Sequence, residues 1–195
     1  MTSSPRPSVP LLSPGAHLSA DDGTCLMEAV SGAANLPWSD APACTPALLG
    51  LLARLVNDAS SDAGRQRLAS LVPELAAAGG DDALVSARVA EVCAAAALRR
   101  RFTPLRGHLH RVAAAQAARE EPASAAGPRA RGRRRVFERG PGARAVEVAV
   151  TELLRLPTPE RDPALRELLE AGLATRPGGL RQPARVVAAG RATGR

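Results

Sequence analysis

Apolar residues return every three or four positions through the first hundred residues, lose that rhythm, and regain it nearer the C-terminal end. This spacing is the signature of helices that bury one face. Ser19, with Asp22 three residues on, reads as a helix start, and Cys25, Leu26, Ala29, Val30 and Ala33 follow as its inner stripe. Gly23 weakens the first turn, and Pro37 sets the end before Asn35. Thr45-Pro46 is a capping hydroxyl followed by proline at the first helical position. Leu48, Leu51, Leu52, Leu55 and Val56 then make a broad apolar stripe that closes near Asp58. Ser60, Ser61 and Asp62 are alternative caps for a third helix bearing Leu68, Leu71, Val72 and Leu75, which Pro73 kinks or ends.

Gly79-Gly80 interrupts the chain, and Asp81-Asp82 opens a longer helix that finishes at Arg99-Arg100-Arg101. Acids at the start and arginines at the end each suit the helix dipole, by about 0.3–1 kcal/mol. Its expected inner stripe is Leu84, Val85, Val89, Val92, Ala96 and Leu98. Thr103-Pro104 starts a weaker helix through Leu109, Val112 and Ala115. The fold class is all-α: a four- or five-helix bundle over 17–118, preceded by a flexible Ser/Pro-rich leader at 1–16.

The second half reads differently. Residues 119–142 include EEPASAAGPRARGRRR, which has no Leu, Val or aromatic side chain to bury, and the segment is expected to be a disordered, Arg-rich linker. Helical spacing resumes with Val146, Val150, Leu153 and Leu154, then Leu165, Leu168 and Leu169. These suggest a helical hairpin at 143–174, followed by a disordered tail at 175–195.

Composition sharpens this division. Hydrophobic residues make up 45% of the chain but aromatics only 2%. Alanine supplies much of the apolar fraction, so burial rests on Leu and Val, at roughly 1.5–3 kcal/mol per fully buried side chain. A large core and a disulfide-dense fold are excluded. All 26 basic residues are Arg, as a GC-rich coding sequence would give. The first 98 residues carry 5 Arg against 10 acids, and the remainder carries 21 against 9. Such asymmetry accompanies basic segments that touch nucleic acid. The apolar runs Leu48–Ala53 and Val92–Leu98 fall far short of the roughly 20 residues of a membrane span. Pro5, Pro7, Pro10 and Pro14 leave no apolar stretch for a secretory signal. Three widely spaced cysteines favour reduced thiols, and cytoplasm is the expected compartment.

Several short elements fall in a distinctive order. They are Asp22-Gly23, Cys25-Leu26-Met27-Glu28, Trp38-Ser39-Asp40, Cys44, Val56-Asn57-Asp58, Arg67-Leu68 and Val72-Pro73-Glu74-Leu75. In this order the stretch 17–98 resembles a family of uncharacterised all-helical proteins from actinomycetes and their phages. The resemblance implies a helical fold and carries over no catalytic role. Similar proteins continue into a Trp-containing helical segment, whereas here Phe102-Thr103-Pro104 gives way to Arg- and Ala-rich text. A shifted reading frame in GC-rich DNA would produce text of that kind.

Candidate chemistry is sparse. Cys25, Cys44, Asp40 and His17 are residue types that bind zinc, but eighteen residues separate the two cysteines and no close-spaced ligand pair occurs. The alternative is that both cysteines are small buried hydrophobes, or a redox pair. Glu28, Asp40 and Asp58 suggest acid–base work only if they converge; otherwise they bond loop amides and cap helices. Trp38 reads as a lid on the core, and Cys93 as core. His108 and His110, two positions apart, lie on different sides of a helix. No phosphate loop, G-x-S-x-G or H-E-x-x-H occurs, so no cofactor is expected.

The densest charge is RARGRRRVFER, where Arg129, Arg131, Arg133, Arg134, Arg135 and Arg139 offer bidentate phosphate contacts. A helix-turn-helix at Pro46–Val72, with Arg65, Gln66 and Arg67 on DNA, is a weaker alternative inside an acidic domain. The sequence therefore favours a non-enzymatic interaction or regulatory module with an unknown protein partner and no membrane. A nucleic-acid-associated protein working through the Arg-rich half is second. A metal- or thiol-dependent protein using Cys25, Asp40 and Cys44 is third.

Overall fold

A computed structural model of the chain describes residues 11–80, 82–100 and 128–176. Among these, the regular elements are all helical: α1 (Leu26–Ala33), α2 (Ala47–Ala59), α3 (Asp62–Leu68), a 3-10 turn (Ala69–Leu71), α4 (Val72–Ala76), α5 (Ala83–Arg100), α6 (Pro128–Arg139), α7 (Pro141–Leu153) and α8 (Thr158–Leu173). No described helix is long and apolar enough to cross a membrane. The expected helix after Thr103-Pro104, with His108 and His110, lies outside the described residues.

α2 and α5 lie at the centre. α1 and α4 pair with each other, with α1 also against α2, while α7 and α8 each pack against both central helices. Leu48, Leu49, Leu52, Ala53 and Val56 make α2 the core's main strip, each at most 1% exposed. On α5 the buried face differs from the expected stripe. Val85, Ala87, Val89, Ala90, Cys93, Ala94 and Ala97 face inward, while Leu84, Val92, Ala96 and Leu98 are only half-buried. The small alanine side chains let α7 approach closely, and α5–α7 is the most extensive helix pair. Burying the larger residues there would force the helices apart.

The second half departs most from expectation. The basic linker does not run to residue 142: Pro128–Arg139 is helical, and Pro141 opens the next helix. Phe137 is 2% exposed and anchors the arginine-rich α6 to the core. The hairpin is present as α7 and α8, but it is part of the bundle rather than an appendage. Ala145, Val146, Ala149, Val150 and Leu153 all face inward from α7. Gly142 allows this approach, because a Cβ there would come within 2.6 Å of Leu48 Cδ1 and 3.1 Å of the Phe137 carbonyl.

Helix ends also shift. Ser19 does not start α1; its hydroxyl bonds Asp22 in a turn. The cap is Cys25, whose sulfur accepts the Glu28 amide at 3.4 Å while the Glu28 carboxylate accepts the Cys25 amide at 2.7 Å. This is a capping box with sulfur in place of a hydroxyl. Thr45 donates its hydroxyl to the Leu75 carbonyl, leaving Pro46 as the N-cap of α2. Ser61 caps α3 through the Gly64 amide, and Pro73 sits in the first turn of α4.

Candidate functional site

The residues expected to be a flexible leader include a fastened strap. Leu12 is 2% exposed, and its amide and carbonyl are both held by the Gln66 side chain, at 2.9 and 2.7 Å. Asn57, fully buried in α2, donates to the Ser13 carbonyl at 2.9 Å and accepts the Leu26 amide at 3.2 Å. Asp58 accepts the Gly15 amide at 2.8 Å. Apart from the exposed Gly15 amide, these bonds satisfy backbone groups that are buried or partly so, as buried polar side chains must do.

The strap delivers His17 to Glu28. The Glu28 side chain is 1% exposed and accepts the His17 amide at 2.5 Å and His17 Nδ1 at 2.8 Å. Burial alone would raise its pKa, but the Cys25 and His17 amides together with the imidazole outweigh burial and hold it below its ordinary value. The other ring nitrogen, Nε2, lies 3.1 Å from Ser13 Oγ. Ser13 Oγ also accepts the Thr24 amide at 3.0 Å. Gly23 closes one side of this pair with φ +138°, and a Cβ there would fall 2.5 Å from the imidazole. Only glycine fits that approach. Trp38 donates its indole N–H to the His17 carbonyl at 3.0 Å and remains 37% exposed. It lies over the strap rather than over the core.

The candidate metal ligands do not converge. No group of three or more His, Cys, Asp or Glu residues among those described is arranged to hold a metal. His17 and Cys25 both meet Glu28, but Asp40 is elsewhere, its carbonyl accepting Arg54 at 2.8 Å and its carboxylate 3.6 Å from the same guanidinium. Cys44 is half-buried and lines an open apolar groove with Leu36 and Pro73. All three cysteines are free. Desolvation pushes the Cys25 thiol up to about 12, and Cys93 likewise, so neither is a ready nucleophile. Of the three carboxylates, Glu28 and Asp58 both hold the strap and Asp40 does not join them.

The helix-turn-helix alternative also fails geometrically. Arg65 is 5% exposed and spends its guanidinium on the Asn57 and Ser60 carbonyls and on Asp62. Gln66 holds Leu12, and Arg67 lies 3.6 Å from Asp162. Arg67 alone of the three remains exposed, too little for a recognition face.

The arginine run, by contrast, is displayed. Arg129 lies in the first turn of α6. Arg131, Arg133, Arg135 and Arg139 are exposed, whereas Arg134 is half-buried and pairs with Glu138 at 3.3 Å. Positions 131, 135 and 139 fall within an arc of about 80°, on the side away from Phe137. The exposed Arg144 and Arg155 of α7 and its following turn are instead paired with Glu147 and Glu152.

Sequence reasoning missed Ser13, Thr24 and the buried role of Asn57. The signals were a serine four residues before His17 and a C-x-x-E capping spacing, each too common to stand out. Gly23, Cys25, Glu28, Trp38, Asn57 and Asp58 all touch the strap or its anchors. No family model, curated protein or solved structure matches the chain.

Proposed function

We propose that the protein is a binding module whose α6 face engages the phosphates of nucleic acid. One observation carries this reading: Arg131, Arg135 and Arg139 stand exposed in a row on a helix fixed to the core by Phe137. A guanidinium matches phosphate geometry bidentately, and a pre-ordered helix presents three of them at little ordering cost. An anionic membrane is the weaker partner. Between 131 and 139 the only large exposed apolar residue is Val136, too little to bury in a lipid interface. The reading sets the protein in the cytoplasm, where its three free thiols persist.

Fluorescence anisotropy with a labelled DNA duplex, repeated across salt concentrations, tests it. Binding is expected to weaken steeply with salt. Replacing Arg131, Arg135 and Arg139 together with Gln is expected to lower the log–log slope by about 2–3, the share of three phosphate contacts. An unchanged slope, or tighter capture by acidic vesicles than by DNA, overturns the reading.

A further inference from the structure

The geometry points to a second, independent activity: we propose that Ser13, His17 and Glu28 form a nucleophile–base–acid relay that accepts acyl groups from apolar esters. Both contacts that link such a relay are present, with Ser13 Oγ 3.1 Å from His17 Nε2 and His17 Nδ1 2.8 Å from Glu28 Oε2. Ionised Glu28 only accepts, so a neutral imidazole carries its proton on Nδ1 and turns the lone pair of Nε2 toward the Ser13 hydroxyl, whose other acceptor, the Thr24 carbonyl, is farther off at 3.4 Å. That is the tautomer a general base needs. The Cys25 and His17 amides fix the carboxylate, so the imidazole is oriented by a group that cannot itself swing away.

A second observation names the substrate class. Leu11, Leu18 and Trp38 are 80%, 96% and 37% exposed, and they are three of the five large hydrophobics that remain outside the core among the described residues. Trp38 is held beside the relay by a bond, and the two leucines stand next to it in the chain. Leu11 precedes Ser13 by two residues, Leu18 follows His17, and the Trp38 indole is bonded to the His17 carbonyl. Exposed apolar side chains on the segments that carry a Ser–His pair favour an acyl chain over a sugar or a phosphate.

The step balances without a further reagent. The Ser13 proton passes to His17 Nε2 as Oγ bonds the ester carbonyl carbon. The carbon–oxygen bond to the alcohol then breaks, and the imidazolium returns the proton to the leaving oxygen. Water, deprotonated by the same nitrogen, releases the acid and restores Ser13.

The test uses the full chain with a fluorophosphonate probe and with p-nitrophenyl esters of short and medium acyl length. A single adduct on the Ser13 peptide, read by mass spectrometry, is expected, and Ser13→Ala is expected to abolish it. His17→Gln is expected to slow labelling by about 10²-fold or more, while circular dichroism matches the parent. Leu11→Ser with Leu18→Ser is expected to slow the longer ester more than the shorter. No adduct on the parent protein, an adduct elsewhere, or equal labelling of His17→Gln overturns the proposal.

Discussion

Asp162 in α8 accepts the backbone amide of Ser61 at 3.1 Å and also takes the Ser61 hydroxyl, joining positions 101 residues apart. Ser61 is the N-cap of α3, so a single carboxylate ties the acidic first half of the chain to the basic second half. Arg67 and Arg161 stand 3.6 and 4.0 Å away and offset its burial. Replacing Asp162 with Ala leaves the Ser61 amide without this acceptor, and a loss of about 1–3 kcal/mol is expected in urea unfolding. A change below a few tenths would show the tie to be idle.

Acid should loosen both polar anchors. Glu28 and Asp162 are each held below their ordinary values of 4.5 and 3.8: burial pushes each upward, and the bonds from Cys25 and His17, or from Ser61 and the nearby arginines, more than offset it. A carboxyl group with a depressed folded pKa contributes its stability fully above the unfolded value and loses it as pH falls through the folded one. Thermal midpoints are therefore expected to hold from neutrality to about pH 4.5 and to fall below it. In Glu28→Gln that decline should be shallower, and an unchanged acid limb would contradict the assignment.

Phe137 tests whether the arginine-rich half belongs to the core. Truncation to Ala at this 2% exposed site should cost about 3–5 kcal/mol. Gly142→Ala, which must displace Leu48 Cδ1 or Phe137, should cost about 1–3 kcal/mol. Hydrogen exchange supplies a check without mutation: amides of Val146–Val150 are expected to be protected as well as those of Leu48–Leu52. Fast exchange confined to α7 would separate the two halves again.

Thiol chemistry should be selective. Under native conditions a disulfide reagent is expected to modify half-buried Cys44 and to leave Cys25 and Cys93 intact, given thiols raised to about 12. All three should react in denaturant. Early modification of Cys25 would mean that the capping box opens readily.

Much of the first half was legible because leucines such as Leu48, Leu52 and Leu68 sit at unambiguous helical spacing. The all-helical class followed from that alone. The α5 stripe misled because buried alanines weigh little in a pattern dominated by Leu and Val, although Ala90, Ala94 and Ala97 are what bring α7 close. α6 reads as a linker because seven of its twelve residues are Arg or Glu, and Phe137 is its one buried anchor among the described residues. The strap was illegible for a different reason. Its bonds join Gln66, Asn57 and Asp58 to main-chain groups, and backbone donors and acceptors leave no trace in a sequence.

The seating of α7 and α8 against α2 and α5 has a consequence for biogenesis. A ribosome releases Leu48, Leu52 and Val89 well before it has made Val146 and Leu169, which cover the same core. At roughly 5–20 residues per second, the nascent chain shows sticky leucines for seconds before their cover emerges. Messages cut short after α5 should yield products that clump or are degraded, while holdase chaperones would find their binding sites among the leucines of α2.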